Sequence, residues 1–212
     1  MSLRPIITVA ALTLVAAVGV SQVARTWHGD APPREARTPQ RTWLGIQHLR
    51  QEPMLCVPTS AAMVLAYYGD TQPPRRIKVL SRGQDYDPRA PFNDFTITLF
   101  SDLVRGLGTL GYAWSQETFP DTPEGFAAGL DRIEDELRNG RPVLVDSSFG
   151  PIGHTVVISG FDLQKRELYL VDPDMPPPGR ASVAFDRFEA LWNEHATGGH
   201  FRAMVVTGRK PG

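Results

Sequence analysis

The sequence predicts an α+β domain. Helical apolar spacing dominates the first part of the globular segment, and alternating strand-like runs with a hairpin-length connection dominate the second. The globular segment, residues 43–212, is long enough to bury a sizeable core.

The chain does not begin with that domain. Ile6 to Val20 carries no charge, about the length of a signal-peptide apolar region and shorter than the roughly 20 residues of a usual membrane-spanning helix. Residues 1–24 therefore read as a signal peptide or an N-terminal membrane anchor, which makes the protein exported, periplasmic or extracellular, with membrane association through residues 6–24 in the anchored case. Cleavage signals around Gly19 do not choose between the two. Residues 25–42, with three prolines and little to bury, read as an extended linker. Five arginines against Asp30 and Glu35 leave residues 1–42 at +3, so 43–212 carries −4 of the total −1.

The domain, 43–212, opens with helices. Val57, Ala61, Val64, Leu65 and Tyr68 recur at helical spacing, and Gly69-Asp70 supplies a stop. Pro73-Pro74 opens a short helix through Leu80, and 81–95 reads as a long irregular loop of a length suited to a lid. A further helix is expected over Ile97–Leu110 and a strand over Tyr112–Phe119. Thr122-Pro123-Glu124 starts a helix with Phe126, Leu130, Ile133 and Leu137 on one face, ending at Asn139-Gly140. Three strands follow, Pro142–Asp146, His154–Phe161 and Glu167–Val171, the last two forming a hairpin across Asp162–Arg166. Phe185–Trp192 is a short amphipathic helix and Phe201–Thr207 a final strand. The sheet is expected to be mostly antiparallel, with the N-terminal helical part packed on it.

Composition narrows the function. With 42% hydrophobic and 21% charged residues the chain is neither collagen-like, coiled-coil nor wholly disordered. A net charge of −1 gives no basic face for nucleic acid. One cysteine, Cys56, excludes an internal disulfide framework and a multi-cysteine metal site. His195 and His200 lack an acid or cysteine ligand at metal-site spacing, so neither a metal nor another cofactor is expected.

Cys56 stands where the loop QEPML meets the helix VPTSAAMVLAYY, with Pro58 tolerated in the first turn. A cysteine there meets the positive end of the helix dipole, which stabilises a thiolate nucleophile. The same position also suits a buried structural cysteine. His154 opens the alternating strand TVVISGF and has the chemistry of a general base held rigidly at a strand end. Asp172, in LYLVDPD, ends the strand that forms a hairpin with the His154 strand. Its carboxylate can accept the second imidazole N–H and fix the tautomer. Singly, each residue has an ordinary structural explanation; in this order and placement, the three point to thiol chemistry.

The blocks Gln51-EPML-CVPTSAAMVLAYYGD, GHTVVISGFD and LYLVDPD resemble the C39-like peptidases, a bacterial branch of the papain-like cysteine proteases. The resemblance covers most of 43–212. It implies a papain-like fold, Cys56 as nucleophile, His154 as base and Asp172 as the residue orienting it. It also implies that Gln51, with the backbone N–H of Cys56, forms the oxyanion hole. Gln51 stands five positions before the cysteine, one fewer than is usual, with Gln47 a more distant substitute. Val57 replaces a glycine that often follows the nucleophile and would crowd the oxyanion site. The expected activity is hydrolysis of peptide bonds in a peptide or protein substrate through an acyl-enzyme, without a cofactor. The alternatives are acyl transfer by the same triad, or a silent papain-like module that binds peptide or envelope partners. His48 is expected to border the cleft through Ile46 and Gln47. Met175–Gly179 reads as a stiff turn that could also wall it, and Ser147 as a strand-end residue. Oligomeric state is not encoded in any of these features.

Overall fold

Strand β4 (His154–Asp162) is buried along its whole length, and a strand apolar on both sides must be covered on both. That requirement organises the rest of the chain. The structure is a computed structural model that describes residues 39–81, 96–147, 153–193 and 201–211. The expected export segment 1–24, linker residues 25–38, the lid loop 82–95, and His28, Ser148, His195 and His200 lie outside the described residues. Among the described residues no helix is long and apolar enough to cross a membrane.

In chain order the elements are β1 (Arg41–Trp43), α1 (Cys56–Tyr67), α2 (Pro74–Ser81), α3 (Phe100–Gly108), β2 (Ser115–Pro120), α4 (Pro123–Arg138), β3 (Val143–Ser147), β4, β5 (Glu167–Val171), β6 (Arg180–Ala184), α5 (Phe185–Leu191) and β7 (Phe201–Val206). The strands form one sheet in the order β2-β7-β3-β4-β5-β6, with β1 paired to β4. Every pairing is antiparallel.

Period-2 alternation splits the side chains between two cores. Leu144, Val157, Ala203 and Val205 pack with Ala61, Leu65, Ile77, Leu103 and Leu107 from α1, α2 and α3. Their neighbours Val143, Val145, Val156, Ile158 and Met204 face Phe126, Ile133 and Leu137 of α4 and Phe185, Phe188 and Trp192 at α5. The expectation of helices packed on a sheet holds for α1–α3. The later helices take the opposite face, so the domain has three layers rather than two. α4 begins as the sequence predicts, with Thr122 accepting from the Gly125 N–H at 3.1 Å and proline in its first turn.

Most boundaries shift by a residue or two, and the larger departures from the sequence reading are these. The expected linker to Thr42 gives up Arg41 and Thr42 to β1. The helix expected from Ile97 begins at Phe100, because Leu99 is extended (φ −78, ψ 153). The strand expected from Tyr112 begins at Ser115. Tyr112 and Trp114 turn into the first core, their polar ends donating to Asp70 at 2.8 Å and to the Gly208 carbonyl at 2.9 Å. Strand β6 was not predicted: its inward residues are Ala181 and Val183, and only Val183 is buried, too small an apolar signal to stand out.

β1 matters because it fixes where the chain starts toward Cys56. It pairs Arg41, Thr42 and Trp43 with Asp162, Phe161 and Gly160, alongside the half of β4 that β3 leaves open. The β4–β5 register shifts between Ile158 and Gly160, where the Ser159 carbonyl accepts the Leu44 N–H at 2.7 Å. Gly160 is needed for this approach, since a Cβ there would lie 2.3 Å from the Thr42 carbonyl oxygen. Trp43 completes the anchor by packing on Tyr169 at 5.0 Å between ring centroids, with the Arg180 guanidinium over the Trp43 ring at 5.6 Å. Gly160→Ala is expected to detach β1 and cost about 1–3 kcal/mol. In thermal melts that is a fall in Tm of roughly 3–10 °C; an unchanged Tm would mean that β1 contributes nothing to stability.

Candidate active site

Cys56 is the first residue of α1, a free and half-buried thiol. No side chain caps this helix and no acidic residue stands in its first turn, so nothing of that kind competes for the amides there. The chain enters through a turn in which the Leu55 N–H reaches the Glu52 carbonyl at 3.2 Å. Within it Met54 has φ +63, a left-handed conformation that costs a non-glycine residue on the order of 1 kcal/mol or more. Val57, the residue read as crowding the oxyanion site, buries its side chain in the first core.

One turn further along α1, buried Ser60 donates its hydroxyl to the Thr155 carbonyl at 3.1 Å. This bond ties the cysteine helix to the start of β4, one residue past His154. β3 ties it from the other edge, with Ser147 opposite His154 and its hydroxyl donating to the His154 carbonyl at 3.0 Å. Ser147 thus serves as a strand-end hydrogen-bond donor, as its sequence position suggested.

Asp172 is the residue after β5. Val157 pairs with Val171, so continuing the antiparallel register sets Asp172 across from Val156, diagonal to His154 and on the same side of the strand pair. The contact results: His154 Nε2 lies 2.6 Å from Asp172 Oδ1. The Cys56 side chain stands close enough to the ring to be among the groups that raise its pKa. With Nε2 committed to the carboxylate, Nδ1 is the nitrogen left for the thiol. The three residues picked out in sequence are therefore brought together, although 18 residues separate His154 from Asp172 and the cysteine comes from another element.

Electrostatics follow the same geometry. Burial opposes a charge on His154 and is the largest single effect. The hydrogen bonds to Asp172 and Cys56, with their charges, outweigh it and push the imidazole pKa up to about 10. For Asp172, burial acts to raise the pKa. The His154 bond, the Asp174 amide, and the charges of His154 and His48 overcome that and hold the carboxyl below its ordinary value. Both directions describe an ion pair.

The turn after Asp172 braces it. The Asp172 N–H donates to the Gly179 carbonyl at 2.8 Å, and its carbonyl accepts from His48 Nε2 at 3.1 Å. His48 lies against Gly179: a Cβ there would come within 1.9 Å of the imidazole, and the φ of +63 also favours glycine. The stiff run Met175–Gly179 thus closes back on the aspartate it follows, and His48 reaches the site by holding that aspartate's backbone.

Gln51 comes to the same turn by different bonds. Its N–H donates to the Pro173 carbonyl at 2.8 Å and its side-chain Nε2 to Asp174 Oδ1 at 3.3 Å. Gln51 Oε1 is buried with no hydrogen-bond partner among the described residues. Gln47 is exposed. Sequence reasoning did not single out Ser60, Asp174 or Gly179. Ser60 was accessible, since four residues past Cys56 it shares that residue's helix face. The roles of Asp174 and Gly179 depend on how the turn folds back, which spacing does not encode.

The profile of the Peptidase_C39 like family matches residues 43–199 of the 212. Two crystal structures are similar in fold. One is a double glycine motif protease from an AMS/PCAT transporter in complex with the leader peptide, at TM-score 0.52 and 16% identity, covering 79% of this chain and 95% of that one. The other is the peptidase domain of Streptococcus ComA, a bi-functional ABC transporter involved in a quorum sensing pathway, at TM-score 0.51 and 18% identity, covering 77% and 99%. No curated protein matches the chain in sequence. A helix-borne cysteine, a strand-borne histidine and a three-layer antiparallel fold agree with the profile: the chain belongs to the Peptidase_C39 like family and has the papain-like cysteine peptidase fold.

Proposed function

We propose that the protein is a cysteine peptidase that hydrolyses peptide bonds through Cys56, His154 and Asp172. The observation that carries this reading is the His154 ring, held at 2.6 Å by the Asp172 carboxylate, with the Cys56 side chain near enough to raise its pKa. The Cys56 sulfur attacks the scissile carbonyl while His154 holds its proton. Negative charge develops on the carbonyl oxygen, for which the Cys56 N–H and the Gln51 amide are the donors. His154 then passes the proton to the leaving amine, and water, deprotonated by the same imidazole, releases the acyl group. Asp172 fixes which ring nitrogen faces the sulfur and stabilises the imidazolium. The cycle needs no cofactor. A related fold crystallised with a leader peptide supports a peptide or protein as the substrate, and the apolar run Ile6–Val20 supports action outside the cytoplasm.

The full chain with Cys56→Ala should retain the fold, as read by circular dichroism, and lose all hydrolysis of denatured casein. His154→Ala should lower the rate about 10²–10⁴-fold. Hydrolysis that survives in Cys56→Ala would rule the mechanism out. A chain that cleaves nothing, and whose iodoacetamide alkylation at pH 6 is indifferent to His154→Ala, would favour a binding module instead.

The ion pair also makes stability depend on pH. The unfolded imidazole loses its proton around 6.5 but the folded one keeps it to about 10. The His154 contribution is therefore complete below 6.5, declines as pH rises and is gone above 10. Asp172, held below 3.8 when folded, contributes above that value and is lost as pH falls through its depressed pKa. The Tm difference between the wild-type protein and His154→Gln should be largest between about pH 4 and 6.5 and shrink toward pH 10. A difference that grows with pH would contradict the pairing.

A further inference from the structure

We propose that Asp174 is a positioning residue that decides which end of the Gln51 amide is offered to the reacting carbonyl. The proposal rests on the reading of Gln51 as an oxyanion donor and adds to it the group that makes that role possible. A glutamine amide has two ends of opposite character, and only the NH2 end can stabilise a developing oxyanion. Turned the other way, its carbonyl would repel one. A free glutamine side chain has little to choose between the two, so something must set the orientation.

Three bonds converge on the Asp172–Asp174 turn. The Gln51 N–H is held by the Pro173 carbonyl at 2.8 Å, which fixes the backbone from which the side chain leaves. Gln51 Nε2 then donates to Asp174 Oδ1 at 3.3 Å. The Asp174 N–H meanwhile donates to Asp172 Oδ1 at 2.8 Å, the same oxygen that holds His154. The Asp174 carboxylate only accepts, so an inverted amide would set carbonyl oxygen against carboxylate. In the orientation observed, Gln51 Oε1 is buried with no partner among the described residues, a position that is unfavourable for an acceptor. One of the two Nε2 protons is used on Asp174 and the other remains for the substrate oxygen. Backbone and side chain of Asp174 thus serve different residues: its amide steadies Asp172, its carboxylate orients Gln51.

This division allows a clean test, because Asp174→Ala keeps the backbone bond and removes only the carboxylate. Two probes are applied to the full-length chain. p-Nitrophenyl acetate acylates Cys56 through a tetrahedral oxyanion: the S–C bond forms, the ester C–O bond breaks, p-nitrophenolate leaves, and the thiol proton goes to His154. Iodoacetamide alkylates the same sulfur by displacing iodide, with no oxyanion. The ratio of the two rates therefore isolates the oxyanion donors.

Gln51→Ala should lower the ratio about 10–100-fold, somewhat under the loss typical of a complete oxyanion-hole donor. Asp174→Ala should lower it about 3–10-fold, with alkylation unchanged within a factor of about two. The double variant should be no worse than Gln51→Ala alone, since the carboxylate acts only through the amide. An unchanged ratio in either single variant overturns the proposal. So does a double variant whose losses multiply, or an Asp174→Ala that slows both probes equally, which would place its effect on Asp172. Alkylation that does not depend on His154 marks failure of the triad reading itself. His154-dependent alkylation with a ratio indifferent to Asp174 marks failure of this inference alone.

Discussion

The 2.6 Å contact between His154 Nε2 and Asp172 Oδ1 is the constraint on which the site depends. Once one ring nitrogen is bonded to a carboxylate, the imidazole has neither free rotation nor a free choice of tautomer, and its remaining nitrogen has a fixed direction. The thiol must then be brought to that nitrogen by the fold. Ser60 does this by bonding α1 to the Thr155 carbonyl, so that helix and strand meet at their first residues. A shift of one residue in either element would send the side chain to another face.

The contact is expensive to set up. Both partners are largely out of water, and burial alone works against charge on each. The molecule offsets this by surrounding Asp172 with donors: the His154 ring, the Asp174 amide on its carboxylate, and His48 on its carbonyl, while its own N–H is satisfied by Gly179. Apart from the His154 ring, which β4 carries, these come from the β5–β6 turn and from the loop before α1. The proline-rich turn and the chain leading to the cysteine therefore brace each other through His48 and Gly179, and nucleophile and orienting carboxylate share one support.

Beneath the site the sheet provides rigidity. β4 carries the histidine, is paired along both edges, and is buried on both faces between α1–α3 and α4–α5. A strand so enclosed has no low-energy way to move, which suits a base that must keep its geometry through two proton transfers. The opposite end of β4 serves assembly instead: Gly160 admits β1, and Trp43 packs on Tyr169 where the chain departs for the cysteine.

The sequence by itself determined the local facts. Helical spacing after Cys56, alternation after His154 and the hairpin-length link to Val171 are periodic signals a few residues long, and each was legible because it reflects how one element meets a core. The family motifs added the candidate roles of Cys56, His154, Asp172 and Gln51. Tertiary structure decided what depends on distant parts of the chain meeting. β1 is a strand because β4 has an open edge beside Gly160, and β6 because β5 has one; each is too short and too lightly buried to announce itself. That helices cover both faces was not legible, because His154–Phe161 read as an alternating strand; β4 is buried throughout, and packing assigned α4 and α5 to the far side. His48, Asp174 and Gly179 gained their roles when the turn after Asp172 folded back on the loop before Cys56. Those contacts span more than a hundred residues, and no local spacing carries a bond of that length.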